Sequence, residues 1–263
     1  MSNWQQEHER AIHSFLKHLN KSSGLFVLKG DTSLLTCYKL DRFSEDIDLD
    51  GIGKNIEEIV GEFCNRNGYS YRVAKDTDSV KRYMINYGNV QKPLKVEVSF
   101  RRKEISADEV ITINGLLTYK IDVLCGMKMN AYAGRDQLRD LYDLSFICKH
   151  YFDNLSPQTI SVLRGTIEHK GIEQFDYLAK YQPDELVDEG KLALDFLAMF
   201  DKLGLLYNEK ERQIIDTYRK PEKTSDEPLS IKEQMQIASE ESKRLNENRS
   251  SRAMNNRHRE VER

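Results

Sequence analysis

Two neighbouring runs decide how this chain folds: Leu28-Lys29-Gly30-Asp31-Thr32-Ser33-Leu34 and, shortly after, Arg42-Phe43-Ser44-Glu45-Asp46-Ile47-Asp48-Leu49-Asp50. Leu25 to Leu28 reads as a short buried strand that Gly30 interrupts, and Thr32 to Leu40 carries helical spacing through Leu34, Leu35 and Tyr38. From Ser44 to Asp50 the acids Asp46, Asp48 and Asp50 alternate with Ile47 and Leu49, the period-two pattern of a half-buried strand. The predicted unit is therefore strand, tight turn, helix and strand, with its carboxylates on one face.

Two acids separated by one strand residue stand close enough to share divalent cations, and hard carboxylate oxygens suit Mg²⁺, with Mn²⁺ as a substitute. A two-ion site usually takes a third carboxylate from elsewhere. Leu94 to Phe100 alternates again, placing Glu97 on its polar side as the candidate. A D-x-D pair alone marks a solvated turn more often than a catalytic site; here the preceding glycine turn gives it a chemical context. At Gly30 the backbone N–H groups can approach phosphate oxygens, the following helix N-terminus favours negative charge, and Thr32 and Ser33 offer hydroxyls.

Outward from this unit, Asn3 to Leu19 forms an amphipathic helix ending near Gly24, and Asn55 to Asn67 a second helix. Tyr69 to Ala74 and Arg82 to Tyr87 read as strands. These elements predict an α/β or α+β domain over residues 1–120, a small mixed sheet flanked by helices whose strand order the sequence leaves open. Residues 121–220 predict a helical bundle: Ile121 to Ala133, Leu138 to Tyr151, Pro157 to Lys170, Glu173 to Ala179 and Asp184 to Leu203, with Ser156 as a cap and Gly204 as a stop. Residues 221–263 are a polar, arginine-rich tail, expected to be disordered or at most one exposed helix.

Composition excludes several classes. Charged residues make up 32% of the chain and hydrophobic residues 39%, and no apolar run approaches the length of a membrane-spanning helix. Residues Met1 to Lys21 are too polar for a secretory signal, which makes cytoplasm the default expectation. Cys37, Cys64, Cys125 and Cys148 lack zinc-ligand spacing and are expected to be buried thiols. A net charge of -3 makes the whole molecule no general polyanion binder, so any nucleic-acid contact needs a local patch.

The run from Leu28 to Asp50 resembles the signature of the bacterial abortive-infection and toxin–antitoxin nucleotidyltransferases, the AbiE toxin and MenT-like group of the DNA polymerase β-like superfamily. The matching positions are Lys29, Gly30, Thr32, Ser33, Leu34, Arg42, Phe43, Ser44, Glu45, Asp46 and Asp48. Ile121-Asp122-Val123-Leu124 with Lys128, Ala131 and Arg135 is similar to the family's lysine motif, and Arg139 to Leu144 to its arginine-aspartate motif. The resemblance implies that Asp46 and Asp48 bind metal, Lys128 contacts nucleotide phosphate, and Asp140 or Asp143 completes the site. It also implies a toxin that transfers a nucleoside monophosphate from an NTP to an acceptor such as the 3′ end of tRNA, with a separate antitoxin as partner.

Two further readings stand beside that one. If Ile121 to Tyr151 were a single helix, Lys128, Tyr132, Arg135, Arg139 and Asp143 would form one stripe facing a cleft; the bland alternative is a solvated face with an Arg139–Asp143 pair. Asp31 stands where the family has a second glycine. Its charge is expected to repel phosphates and slow the enzyme unless the side chain turns away or binds metal, and Asp31→Gly to tighten nucleotide binding. A non-catalytic partner-binding protein and a metal-dependent phosphohydrolase are the competing functions.

Overall fold

A computed structural model of the chain describes residues 3–21, 26–52, 56–88 and 92–206. The tail expected over 221–263, the end of the first helix near Gly24, and Leu25 and Asn55 lie outside the described residues.

The first helix, α1 (Asn3–Leu19), places Ile12, Phe15, Leu16 and Leu19 on one buried stripe, the i, i+3, i+4, i+7 spacing of an amphipathic helix. Each such side chain removed from water contributes roughly 1.5–3 kcal/mol. The strand β1 (Phe26–Lys29) runs directly into α2 (Gly30–Tyr38), and β2 (Asp46–Gly51) follows. Next come α3 (Ile56–Asn67), β3 (Ser70–Asp76), β4 (Val80–Asn86) and β5 (Leu94–Ser99). Alternation along β2 and β5 sends Ile47, Leu49, Val96 and Val98 into the core at zero exposure. Residues of α1 and α3 belong to the same cluster, with the Phe15 and Phe63 rings meeting edge to face at 5.2 Å.

Two strands escaped the sequence reading. β6 (Val110–Ile113) and β7 (Leu116–Tyr119) form an antiparallel hairpin. Its two-residue loop, Asn114-Gly115, has φ of 52° and 79°, and positive φ at both central positions is what a type I′ turn demands. β7 then pairs in parallel with β1, Leu28 opposite Thr118. The resulting seven-stranded mixed sheet has the order β3-β4-β5-β2-β1-β7-β6, which puts β1 and β2 at its centre.

The helices that follow are α4 (Ile121–Arg135), α5 (Leu138–Tyr151), α6 (Pro157–Lys170), α7 (Glu173–Tyr181) and α8 (Glu189–Leu203). The chain does not run as one helix from Ile121 to Tyr151: α4 stops at Asp136, whose φ of 44° breaks the ladder, so the single stripe over that span does not exist. Ser156 caps α6 by accepting from the Thr159 N–H, and Gly204 ends α8 in the left-handed region. α8 starts at Glu189, later than the Asp184 expected, because Asp188 is the residue that caps it. Asp184 is spent on a turn, accepting from the Leu186 N–H at 2.9 Å.

The core is continuous from α1 to α8, and all four cysteines are buried thiols. Among the described residues no helix is long and apolar enough to cross a membrane.

Candidate active site

Strand register assembles the site. β2 pairs antiparallel with β1 and parallel with β5, and β5 antiparallel with β4, so Lys29, Asp48, Glu97 and Arg82 lie side by side on four adjacent strands. Residues opposite one another in register project to the same face of a sheet. Two further pairs flank this row, Asp46 beside Lys95 and Asp50 beside Ser99. The face opposite the apolar one thus carries alternating carboxylates and cations. Lys95 reaches Asp46 at 2.5 Å, Arg82 reaches Glu97 at 2.5 Å, and Lys29 reaches Asp50 at 2.5 Å. Tyr119 also donates to Asp50, at 2.8 Å.

Asp48 has a different environment. Burial pushes its carboxyl up to about 6, with Lys95 opposing and Asp46, Asp31 and Glu97 adding to the rise. Gly30, which opens α2 with φ of +71°, lies directly against it: a Cβ at Gly30 would stand 3.0 Å from Asp48 Oδ2. The glycine is required twice over, by its left-handed backbone and by this approach.

Thr32 and Ser33 are buried, and both hydroxyls have partners within the protein. Thr32 Oγ1 pairs with Ser44 Oγ at 2.7 Å and donates to the Asp46 carbonyl, while Ser33 Oγ pairs with Thr118 Oγ1 at 2.6 Å. They tie α2 to β2 and β7. His8, which the sequence reading passed over, does similar work from α1. Its Nε2 donates to the Glu45 carbonyl at 2.7 Å and its Nδ1 pairs with the Tyr87 hydroxyl.

Beside the start of α2 lies a largely buried ionic network. Arg42 donates through two nitrogens to Asp143, both at 2.7 Å, and to Asp31 at 2.6 Å. Lys128 contacts Asp31, Asp143 at 2.5 Å and Asp140 at 3.6 Å. Arg135 holds Asp140 by two bonds of 2.7 and 2.8 Å. Three cations thus face three carboxylates. Despite burial, which alone would raise it, the Asp31 carboxyl is held below its ordinary value by Lys128 and Arg42. Asp31 thus faces two cations, Arg42 and Lys128, at the start of α2. Asp140 and Asp143 are fully buried, so their place is in this network.

A cavity of about 710 Å³ covers the carboxylate row and reaches Gly30, Lys128 and Arg135. Its lining holds seven basic side chains and four acidic ones, a formal surplus of three positive charges. Arg101 and Arg102 are cations there that the motif reading missed. A smaller polar cavity of about 170 Å³, lined by Asp31, Asp46, Asp48, Lys95 and Arg135 among others, adjoins it. Among the described residues no group of three or more His, Cys, Asp or Glu side chains stands ready to share a metal ion, since Asp46 and Glu97 are turned to Lys95 and Arg82.

Comparison with known proteins gives the site its setting. Residues 14–224 match the family described as nucleotidyl transferase AbiEii toxin, Type IV toxin–antitoxin system. The crystal structure of JHP933 from Helicobacter pylori is similar, with a TM-score of 0.66 and 29% identity over 84% of this chain and 100% of that one. The crystal structure of a "putative nucleotidyltransferase from H. pylori" has a TM-score of 0.64 and 30% identity, over 80% of this chain and 100% of that one. No curated protein matches.

Proposed function

We propose that this chain, which belongs to the AbiEii nucleotidyl transferase toxin family, moves a nucleoside monophosphate from an NTP to an acceptor hydroxyl on RNA, the 3′ end of tRNA being the leading acceptor. The observation that carries the reading is the positive cavity laid over Asp48 and Glu97, with Asp46 lining the small polar cavity that adjoins it. A surplus of three positive charges complements a triphosphate.

In the reaction the acceptor oxygen forms a bond to the α-phosphorus as the bond to pyrophosphate breaks. Lys29, Lys95 and Arg102 offset the charge of the triphosphate and of the departing pyrophosphate. Gly30 brings the start of α2 against Asp48, so that phosphate oxygens meet backbone rather than a side chain. Lys128, braced by Asp31, Asp140 and Asp143, holds the near wall of the cavity.

The carboxylates fit a divalent cation by their chemistry. They offer oxygen donors alone, from neighbouring strands in one register, and the burden on Asp48 from burial and three nearby acids is one that such an ion relieves. Asp46, Asp48 and Glu97 would hold two Mg²⁺, or Mn²⁺ in their place. Bound there, the ions would activate the acceptor oxygen and steady the leaving group. Membership in a Type IV toxin–antitoxin family supports a cognate antitoxin as partner, and the reaction proposed here has its setting in the cytoplasm, where tRNA and NTP meet.

The test is incubation of the purified chain with Mg²⁺, each α-labelled NTP in turn and total cellular RNA, beside an Asp46→Ala, Asp48→Ala control. Label on tRNA-sized RNA only with the intact carboxylates is the expected result. Pyrophosphate released without label on any acceptor would indicate a phosphohydrolase. No nucleotide binding at all would indicate a partner-binding scaffold.

A further inference from the structure

A second and larger cavity, of about 910 Å³, lies outside the carboxylate row. It shares Glu45 and Arg139 with the small polar cavity, which in turn shares Asp31, Asp48, Lys95 and Arg135 with the positive one. The three thus form a chain of adjoining cavities, with Asp46 lining the middle one. Trp4 lines the outer cavity and is 36% exposed. Its ring is held edge-on by Phe43 at 5.5 Å and His8 at 6.2 Å, and the Lys92 ammonium stands 5.7 Å from its centroid.

The charges of the two large cavities are opposite. The outer one holds Lys92 and Arg139 against Glu7, Glu45, Asp184 and Glu185, a surplus of two negative charges. Both cations are already engaged, Lys92 with Glu45 and Arg139 with Asp184 and Glu45. A triphosphate is repelled from such a lining. A nucleobase is not, because its face stacks on an indole and its exocyclic amino group donates to carboxylates.

We propose that the Trp4 cavity is the acceptor subsite, taking the terminal base of a single-stranded RNA end and directing its terminal hydroxyl through the Glu45–Arg139 boundary toward Asp46. The charge of the lining selects bases that carry an exocyclic amine, adenine, cytosine and guanine, over uracil. This inference rests on the transferase reading for its purpose, and its test does not depend on transfer.

The chain contains a single tryptophan, so fluorescence excited selectively in tryptophan, beyond tyrosine absorption, reports on this cavity alone. Single-stranded RNA hexamers differing only in the 3′-terminal base are titrated into the full chain without NTP or Mg²⁺. The expected result is quenching of Trp4 by hexamers ending in A, C or G, with weaker affinity for U. Trp4→Leu, which keeps an apolar side chain against Phe43, should weaken binding of end-labelled hexamers by about tenfold or more in anisotropy; Trp4→Phe should restore part of it. Absence of quenching by every hexamer would overturn the proposal, as would equal quenching by NTP alone or unchanged hexamer affinity in Trp4→Leu. Label transfer to a protein with no RNA binding would overturn it as well. Quenching without any catalytic transfer would leave the subsite standing and remove the transferase reading instead.

Discussion

A methyl group at Gly30 would stand 3.0 Å from the Asp48 Oδ2, so the turn into α2 and the buried carboxylate are fitted to one another. Gly30→Ala must either push Asp48 aside or give up a φ of +71°, and non-glycine residues in strained backbone cost about 1–3 kcal/mol. We expect a loss of about 1–3 kcal/mol in urea unfolding and at least a tenfold fall in transfer. Unchanged transfer in a variant with normal stability would show that the close approach does not matter.

Asp48 should separate stability from function. Its folded pKa of about 6 lies above the ordinary 3.8, so ionisation opposes folding, and the opposition sets in as pH rises through that window and persists at pH 7. Asp48→Asn should therefore melt at a temperature equal to or above that of the wild type at pH 7, while transfer falls by roughly 10²–10³-fold, the scale of losing one transition-state contact. A lower melting temperature together with retained transfer would contradict both halves.

His8 supplies a pH dependence of the opposite sign. Burial lowers its pKa below 6.5, against the pull of the Glu45 carbonyl, so the folded state prefers the neutral ring. The unfolded chain then binds more protons below pH 6.5, and stability from this residue is complete above that value and lost as pH falls toward the lowered pKa. In His8→Gln this part of the pH dependence should vanish between pH 7 and 5.5. An NMR titration of the His8 ring with an ordinary midpoint would exclude the idea.

The buried network should respond to the removal of a single partner. Arg42→Met leaves Asp143 without its paired guanidinium, and breaking a buried pair costs about 3–5 kcal/mol. Replacing both sides, as Arg42→Met with Asp143→Leu, should recover much of that loss. Equal destabilisation in the single and double variants would assign the effect to packing.

How much of this the sequence disclosed follows from the range of each interaction. The acid row was legible because alternation along β2 and β5 is local, and the register then set Asp48 beside Glu97. The hairpin of β6 and β7 was missed although Asn114-Gly115 is a strong turn signal, because its flanking strands are only four residues each. The break between Ile121 to Ala133 and Leu138 to Tyr151 was legible in the pattern, whereas its pivot was not, because a non-glycine residue, Asp136, takes the positive φ. Arg42 and Asp143 lie 101 positions apart, and the tie from His8 to Glu45 spans 37; no periodicity reaches that far. Residue type alone likewise could not disclose the partners of the Thr32 and Ser33 hydroxyls, which are Ser44, the Asp46 carbonyl and Thr118.

The network of three cations and three carboxylates also sets a schedule for synthesis. Asp31 and Arg42 leave the ribosome long before Asp140 and Asp143, and contacts between distant parts of a chain form late. A nascent chain that ends before α5 holds every acid of the D-x-D strand, yet leaves Arg42 and Lys128 with Asp31 alone, without Asp140 and Asp143. It follows that the ion pairs beside the carboxylate row are completed only once the first helices after the sheet have been translated.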